Sequence, residues 1–240
     1  MALFSLEGWL FLLRWLHFLA GITWIGHLYY FNFTQTPFFA KADPAVRTGM
    51  LAGSLVGTAL WWFRWGAMVT FGSGWLIILH EWGRMGFGGF FDSSYGWAIF
   101  YGGILGSLMW FNVWFVIWPA QKVVIASATQ VAKGGQAIPE AAARGQRSGF
   151  VSRTNTLLSI PMLFFMGAAR HLPFAWQPTP GSKLGALILL ALVIAVVEAN
   201  ALVGTTGPGK KMLSSLSGTF WGGFVLTAIL YVLLELLFRR

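Results

Sequence analysis

Four histidines, His17, His27, His80 and His171, stand in or beside apolar runs of a sequence that contains no cysteine. An ionisable side chain in apolar surroundings needs a partner or a task, and imidazole serves both as a metal ligand and as a proton carrier near neutral pH. Arg14, Glu198 and Glu235 share that setting. The absence of cysteine removes disulfides, thiolate nucleophiles, iron–sulfur clusters, Cys-bound zinc and covalent CxxCH haem attachment. A non-covalent b-type haem is still open to this composition: two imidazoles from different helices at matched depth serve as axial ligands, with apolar and aromatic side chains around the macrocycle.

His17, His80 and His171 qualify for that role. The uninterrupted apolar part of the first run begins after Arg14, which can snorkel to the interface, so His17 lies about one helical turn below it. His80 ends the second run and His171 ends the fourth, placing all three at one depth. They are the candidate haem b ligands, with His17 and His171 as the pair on the iron. Interfacial histidines bonded to backbone or water would leave the same pattern and stay open as the alternative. His27 lies roughly three turns beyond His17, which suits a hydrogen-bonded packing role. A zinc or non-haem iron site needs about three protein ligands, often including a carboxylate, but Glu81 beside His80 points about 100° away around a helix. Glu198, near Asn200, reads as a partner for a basic loop residue or as a proton relay.

These groups have to be positioned by a membrane protein. Of the 240 residues 57% are hydrophobic, 17% aromatic and only 10% charged, with a mean hydropathy of +0.68, far from the composition of a soluble domain. Apolar runs near 9–33, 59–82, 95–119, 154–171, 184–204 and 216–238 each approach the ~20 residues that a span needs. The reading is all-α: a polytopic helical bundle of about six transmembrane helices, forming a single integral-membrane domain over 1–240. The first run has no basic n-region or cleavage site and is expected to be retained as a helix. The net charge of +9 fits anionic lipid better than nucleic acid. With six spans, Lys41, Arg47, Arg64, Lys122, Lys133, Arg144, Arg147, Arg153, Lys210 and Lys211 fall on one side. Arg84, Arg170, Lys183, Arg239 and Arg240 fall on the other, and Arg14 is unassigned. The richer side is expected to be cytoplasmic, leaving both termini periplasmic and the chain multi-pass in a bacterial inner membrane.

Ala-rich stretches 120–132 and 139–147 suit either short helices on the interface or a solvated basic connector. Trp61, Trp62, Trp65 and Trp118 suit an inner aromatic belt and Trp82, Trp97 and Trp176 an outer one. Gly102 and Gly106 form a GxxxG pair for close helix packing. No phosphate-binding glycine loop or nucleophile elbow occurs, and the spans lack the inverted symmetry of a transporter.

Four blocks carry a family resemblance: RWLHFLAGITWIG (14–26), WWFRWGAMVTFGSGW (61–75), FNVWFVIWPAQK (111–122), and GQRSGF with TNTLLSIPMLFFMGAARHLPF (145–150 and 154–174). In this order they resemble the membrane domain of the bacterial urate hydroxylase family, also called the urate oxidase N-terminal domain. The resemblance implies a helical membrane domain that oxidises urate and passes electrons to a c-type cytochrome, commonly fused behind it. It carries over to His17, to Asn112, Pro119 and Gln121, and to Arg147, Ser148, Asn155, Pro161 and His171. Departures are equally specific. Thr154 stands where the family pattern has a histidine, Glu198 and Asn200 stand near another, and Gly66 replaces a glutamate. The leading expectation is therefore a membrane-integral b-haem redox protein serving a separate periplasmic cytochrome c, with weak or absent urate hydroxylation. The alternative is a non-catalytic accessory subunit packed in a larger membrane redox complex.

Overall fold

The six apolar runs form helices in the computed structural model of the chain, which describes residues 2–172 and 174–239. Arg240, counted in the charge tally, lies outside the described residues. Helix α1 (Leu6–Tyr29) passes through a π-helical turn (Tyr30–Gln35) into α2 (Thr36–Lys41), followed by the short α3 (Pro44–Ala52) and the long α4 (Leu55–Phe91). Helix α5 (Ser94–Phe111) passes through a second π-helical turn (Asn112–Ile117) into α6 (Trp118–Ala132). Then come α7 (Ala141–His171), α8 (Pro180–Leu202), α9 (Pro208–Ser214) and α10 (Leu216–Phe238), with no strand among the described residues. Four helical stretches, Leu6–Lys41, Ser94–Ala132, Pro180–Leu202 and Leu216–Phe238, are each long and apolar enough to cross a membrane.

Helix α7 is the central post. It packs against α5, α6, α8 and α10, and its polar segment Thr154, Asn155, Thr156 and Ser159 is at most 1% exposed. A helix enclosed by protein needs little lipid-facing apolar surface, which is why hydropathy ranks α7 below the lipid-exposed α8 and α10. Close approach is secured by glycine. A Cβ on Gly102 of α5 would come within 2.9 Å of Met166 on α7, and one on Gly66 of α4 within 3.0 Å of the Trp24 backbone on α1.

The two π turns have a common cause. Each ends one residue before an X–Pro step, at Thr36-Pro37 and Trp118-Pro119. Proline lacks an N–H and its ring crowds the carbonyl four residues back, and a widened turn relieves this without breaking the helix. Each turn also presents a buried asparagine to α7. Asn32 Nδ2 donates to Ser152 Oγ at 2.9 Å, and Asn112 Nδ2 donates to Asn155 Oδ1 at 3.0 Å.

Among the described residues, the start of α1 and the end of α10 lie at one end of the bundle, the terminal end. There Arg14 of α1 meets Glu81 of α4 and Arg170 of α7 is beside them, while Gln177 N donates to Phe238 O at 2.9 Å. The opposite, connector end holds Arg64 of α4 stacked 3.8 Å above Trp118 of α6. Two expectations are corrected. Stretches 120–132 and 139–147 are not separate interfacial helices; the first belongs to α6, continuous with α5 through the π turn, and most of the second is the first turns of α7. Trp97 and Trp176 are not belt residues, being 1% and 5% exposed and packed on Phe238. The indole N–H of Trp176 donates to Glu235 at 2.9 Å, so both rings close the core instead of facing lipid.

Candidate functional site

Between α1, α4, α5 and α7, towards the terminal end, lies a cavity of about 740 Å³, within the size range of cofactor and ligand sites. Its walls are mostly apolar, with Gly21, Gly74, Gly103 and Gly106 among them. His17, His171, Arg14, Arg170 and Tyr95 line it as well. His17 and His171 thus reach one cavity from different helices, whereas His80 does not line it. Among the described residues no group of three or more His, Asp or Glu converges as a metal site.

The His17 ring is oriented by α4. Its Nδ1 lies 3.0 Å from Ser73 Oγ, and the Ser73 hydroxyl donates to the Val69 carbonyl at 2.6 Å. Because that proton is committed, Ser73 Oγ accepts from Nδ1–H, which fixes the tautomer and leaves the Nε2 lone pair free. Gly74 makes the room: a Cβ there would sit 3.0 Å from the His17 ring. His27 instead donates from Nδ1 to the Thr23 carbonyl at 2.7 Å, one turn back on α1, and lies outside the cavity.

Arginines surround a buried carboxylate beside the cavity mouth. The Glu81 side chain is 4% exposed. Its Oε2 accepts from Arg84 Nη2 at 2.6 Å and Nε at 2.9 Å, while Oε1 lies 3.5 Å from Arg14 and 3.7 Å from Arg170. Arg170 also stacks 4.1 Å over Tyr95. Three guanidiniums against one carboxylate leave the group with a formal charge of +2, and Arg14, unassigned by the sequence, takes its place at the terminal end. Sequence reasoning missed this cluster. Its only local signal is the Glu81–Arg84 spacing of three residues, since the other partners come from α1 and α7.

Apart from His17 and His171, the polar residues that carry the resemblance gather towards the connector end. Asn112 pairs with Asn155, Asn155 Nδ2 donates to the Met109 carbonyl at 3.0 Å, and Gln121 Nε2 donates to Ser148 Oγ at 2.9 Å. Arg147 reaches the Leu202 carbonyl at 3.3 Å. Glu198 has no basic partner among the described residues; it accepts from Asn112 Nδ2 at 2.8 Å, which corrects its reading as one half of an ion pair. The Thr154 hydroxyl and Asn112 Oδ1 are buried without hydrogen-bond partners.

The family model described as urate oxidase N-terminal matches residues 90–232, more than half of the chain. It takes in the third and fourth blocks, including Asn112, Gln121, Ser148, Asn155 and His171, and leaves 14–26 and 61–75 outside. No curated protein and no solved structure matches. The chain belongs to the urate oxidase N-terminal family.

Proposed function

We propose that this member of the urate oxidase N-terminal family is a six-span protein of a bacterial cytoplasmic membrane that holds haem b and passes electrons to a periplasmic cytochrome c. The observation that carries this reading is the meeting of His17 and His171 at one apolar cavity whose polar groups also include Arg14 and Arg170. The residues present fit the group. His17, its ring oriented by Ser73, and His171 would hold the iron of such a group, and Arg14 and Arg170, which line the same cavity, would pair with its carboxylates. Haem, when bound, supplies one-electron redox chemistry. Helices α4 and α7 complete the six spans, since α4 runs paired with α1 and α7 turns its polar face to protein. The ten basic residues of the connector end put that end in the cytoplasm and both termini outside.

Hydroxylation of urate needs a group to accept a proton. Thr154 and Asn155 can hydrogen-bond but cannot act as bases near pH 7, so urate oxidation by the isolated chain is expected to be weak or absent. Protein purified after haem-replete expression should give the sharp reduced-minus-oxidised spectrum of bis-imidazole ligation. His17→Ala or His171→Ala should abolish or change it, and His27→Ala should leave it intact. A spectrally blank protein would refute haem binding and favour the accessory-subunit role.

A further inference from the structure

The histidine cavity opens sideways, between α1 and α7. Four of its lining residues, Arg14, Phe18, Ile22 and Gly26, follow one another at four-residue spacing along α1, which sets them on one face of the helix. Phe18 and Ile22 in this stripe are 66% and 72% exposed. A second stripe, Leu163, Gly167 and Arg170, lines the cavity from α7 and is exposed throughout. The slot between the stripes is closed at both ends. Deeper in the bundle, the Tyr29 and Ser159 hydroxyls join α1 to α7 at 2.9 Å, and at the terminal end Arg14 and Arg170 reach the same oxygen of Glu81. From Arg14 to Gly26 the slot runs ~18 Å along α1, close to the ~15 Å of hydrocarbon in one leaflet.

Its chemistry is divided along that length. Arg14, Arg170, His171 and Tyr95 stand at the terminal end, with His17 about one turn in, and no Asp or Glu among the described residues lines the wall. Glu81 offsets one of the three guanidinium charges around it. Farther in the walls are mostly apolar, and the Thr70 and Ser107 hydroxyls there already donate to carbonyls of their own helices. We propose that the slot seats one anionic phospholipid of the adjoining leaflet, its phosphate on Arg14 and Arg170 and one acyl chain along the two stripes. A phosphate oxygen suits a guanidinium, and an anionic headgroup matches the surplus positive charge, whereas a zwitterionic one sets its own cation beside the arginines. The proposal shares the cavity with haem but does not rest on it. Both ligands would take Arg14 and Arg170, so the lipid fills the haem-free protein and haem displaces it.

The test is native mass spectrometry of the delipidated, haem-free full-length chain in neutral detergent, titrated with palmitoyl-oleoyl phosphatidylglycerol and with the phosphatidylcholine of the same tails. Phosphatidylglycerol should bind one per chain and about tenfold more tightly. Replacing Arg14 and Arg170 together by Gln should erase that preference, and replacing both by Lys, which keeps the charges, should retain most of it and control for folding. Gly167→Leu fills the slot without disturbing the bundle, since a Cβ there meets nothing within 4 Å. It should weaken phosphatidylglycerol about tenfold while resistance to unfolding by dodecyl sulfate is kept. Equal affinity for the two lipids, a preference that survives the double Gln replacement, or binding indifferent to Gly167→Leu overturns the proposal. The haem arm is read separately by absorbance. A chain that takes up no haem yet holds phosphatidylglycerol through the two arginines refutes the haem reading and supports the lipid site; haem bound alongside retained lipid puts the lipid outside the slot and overturns the proposal.

Discussion

Glu81 allows a sharp test of how the terminal end is held together. At the 3.5 and 3.7 Å separations from Arg14 and Arg170, the Coulomb attraction is about 4–5 kcal/mol at an effective dielectric of ~20 and about 1 kcal/mol in water. The side chains of Arg14, Arg84 and Arg170 are 40%, 57% and 58% exposed, so the aqueous end of that range applies, about 1 kcal/mol each. The two-pronged bond from Arg84 adds about 1.5–3 kcal/mol. Against this total of roughly 4 kcal/mol stands the cost of burying the carboxylate, itself several kcal/mol. Glu81→Gln keeps the shape, removes the burial cost and frees three wet arginines, so it should change stability by less than about 1 kcal/mol. Arg84→Met strands the buried carboxylate with two weaker partners and should cost about 2–3 kcal/mol. Equilibrium unfolding by dodecyl sulfate in mixed micelles, followed by tryptophan fluorescence, measures both. The reasoning fails if Glu81→Gln costs as much as Arg84→Met, because the carboxylate would then be the net stabiliser and its burial nearly free.

Asn155→Leu, close in volume, removes two buried hydrogen bonds, one accepted from Asn112 and one donated to the Met109 carbonyl, which keeps its backbone partner; the same unfolding assay should show a loss of about 1–3 kcal/mol. Gly66→Ala forces a Cβ to 3.0 Å from the α1 backbone, whereas one at Gly72 meets nothing within 4 Å. The first should cost about 1–3 kcal/mol and the second should gain up to about 1 kcal/mol. A periplasm-dependent reporter such as alkaline phosphatase should be active when fused after Arg240 and inactive when fused at 133–139; the reverse pattern would invert the orientation and place the histidine cavity on the cytoplasmic side.

What was legible in the sequence follows from the range of each cause. Hydropathy is summed over a single helix, so all six helical runs could be read directly, and 216–238 coincides with α10. Hydropathy does not distinguish lipid from protein as the apolar surroundings, which is how Trp97 and Trp176 came to be placed in a belt although they fill the core. Pro37 and Pro119 were visible, but proline is compatible with a break, a kink or a π turn, and packing against α7 selects among them. The partners of Glu81 were not legible, because Arg14 and Arg170 lie 67 and 89 residues from it in the sequence and only the folded bundle joins them.

Packing accounts for Gly66. A Cβ there would lie 3.0 Å from the Trp24 backbone nitrogen and 3.2 Å from the Ala20 carbonyl, so a larger side chain requires α1 and α4 to shift apart. Thr154 differs in kind. It is 1% exposed, its hydroxyl has no partner, and the neighbouring Asn112 to Asn155 pairing is intact around it. The polar frame of the connector end thus holds its shape without a base at this position. Histidines at the terminal end, by contrast, have a ring oriented by Ser73, a glycine that makes room for it and arginines at its cavity. That contrast is what supports the proposed redox role at the terminal end.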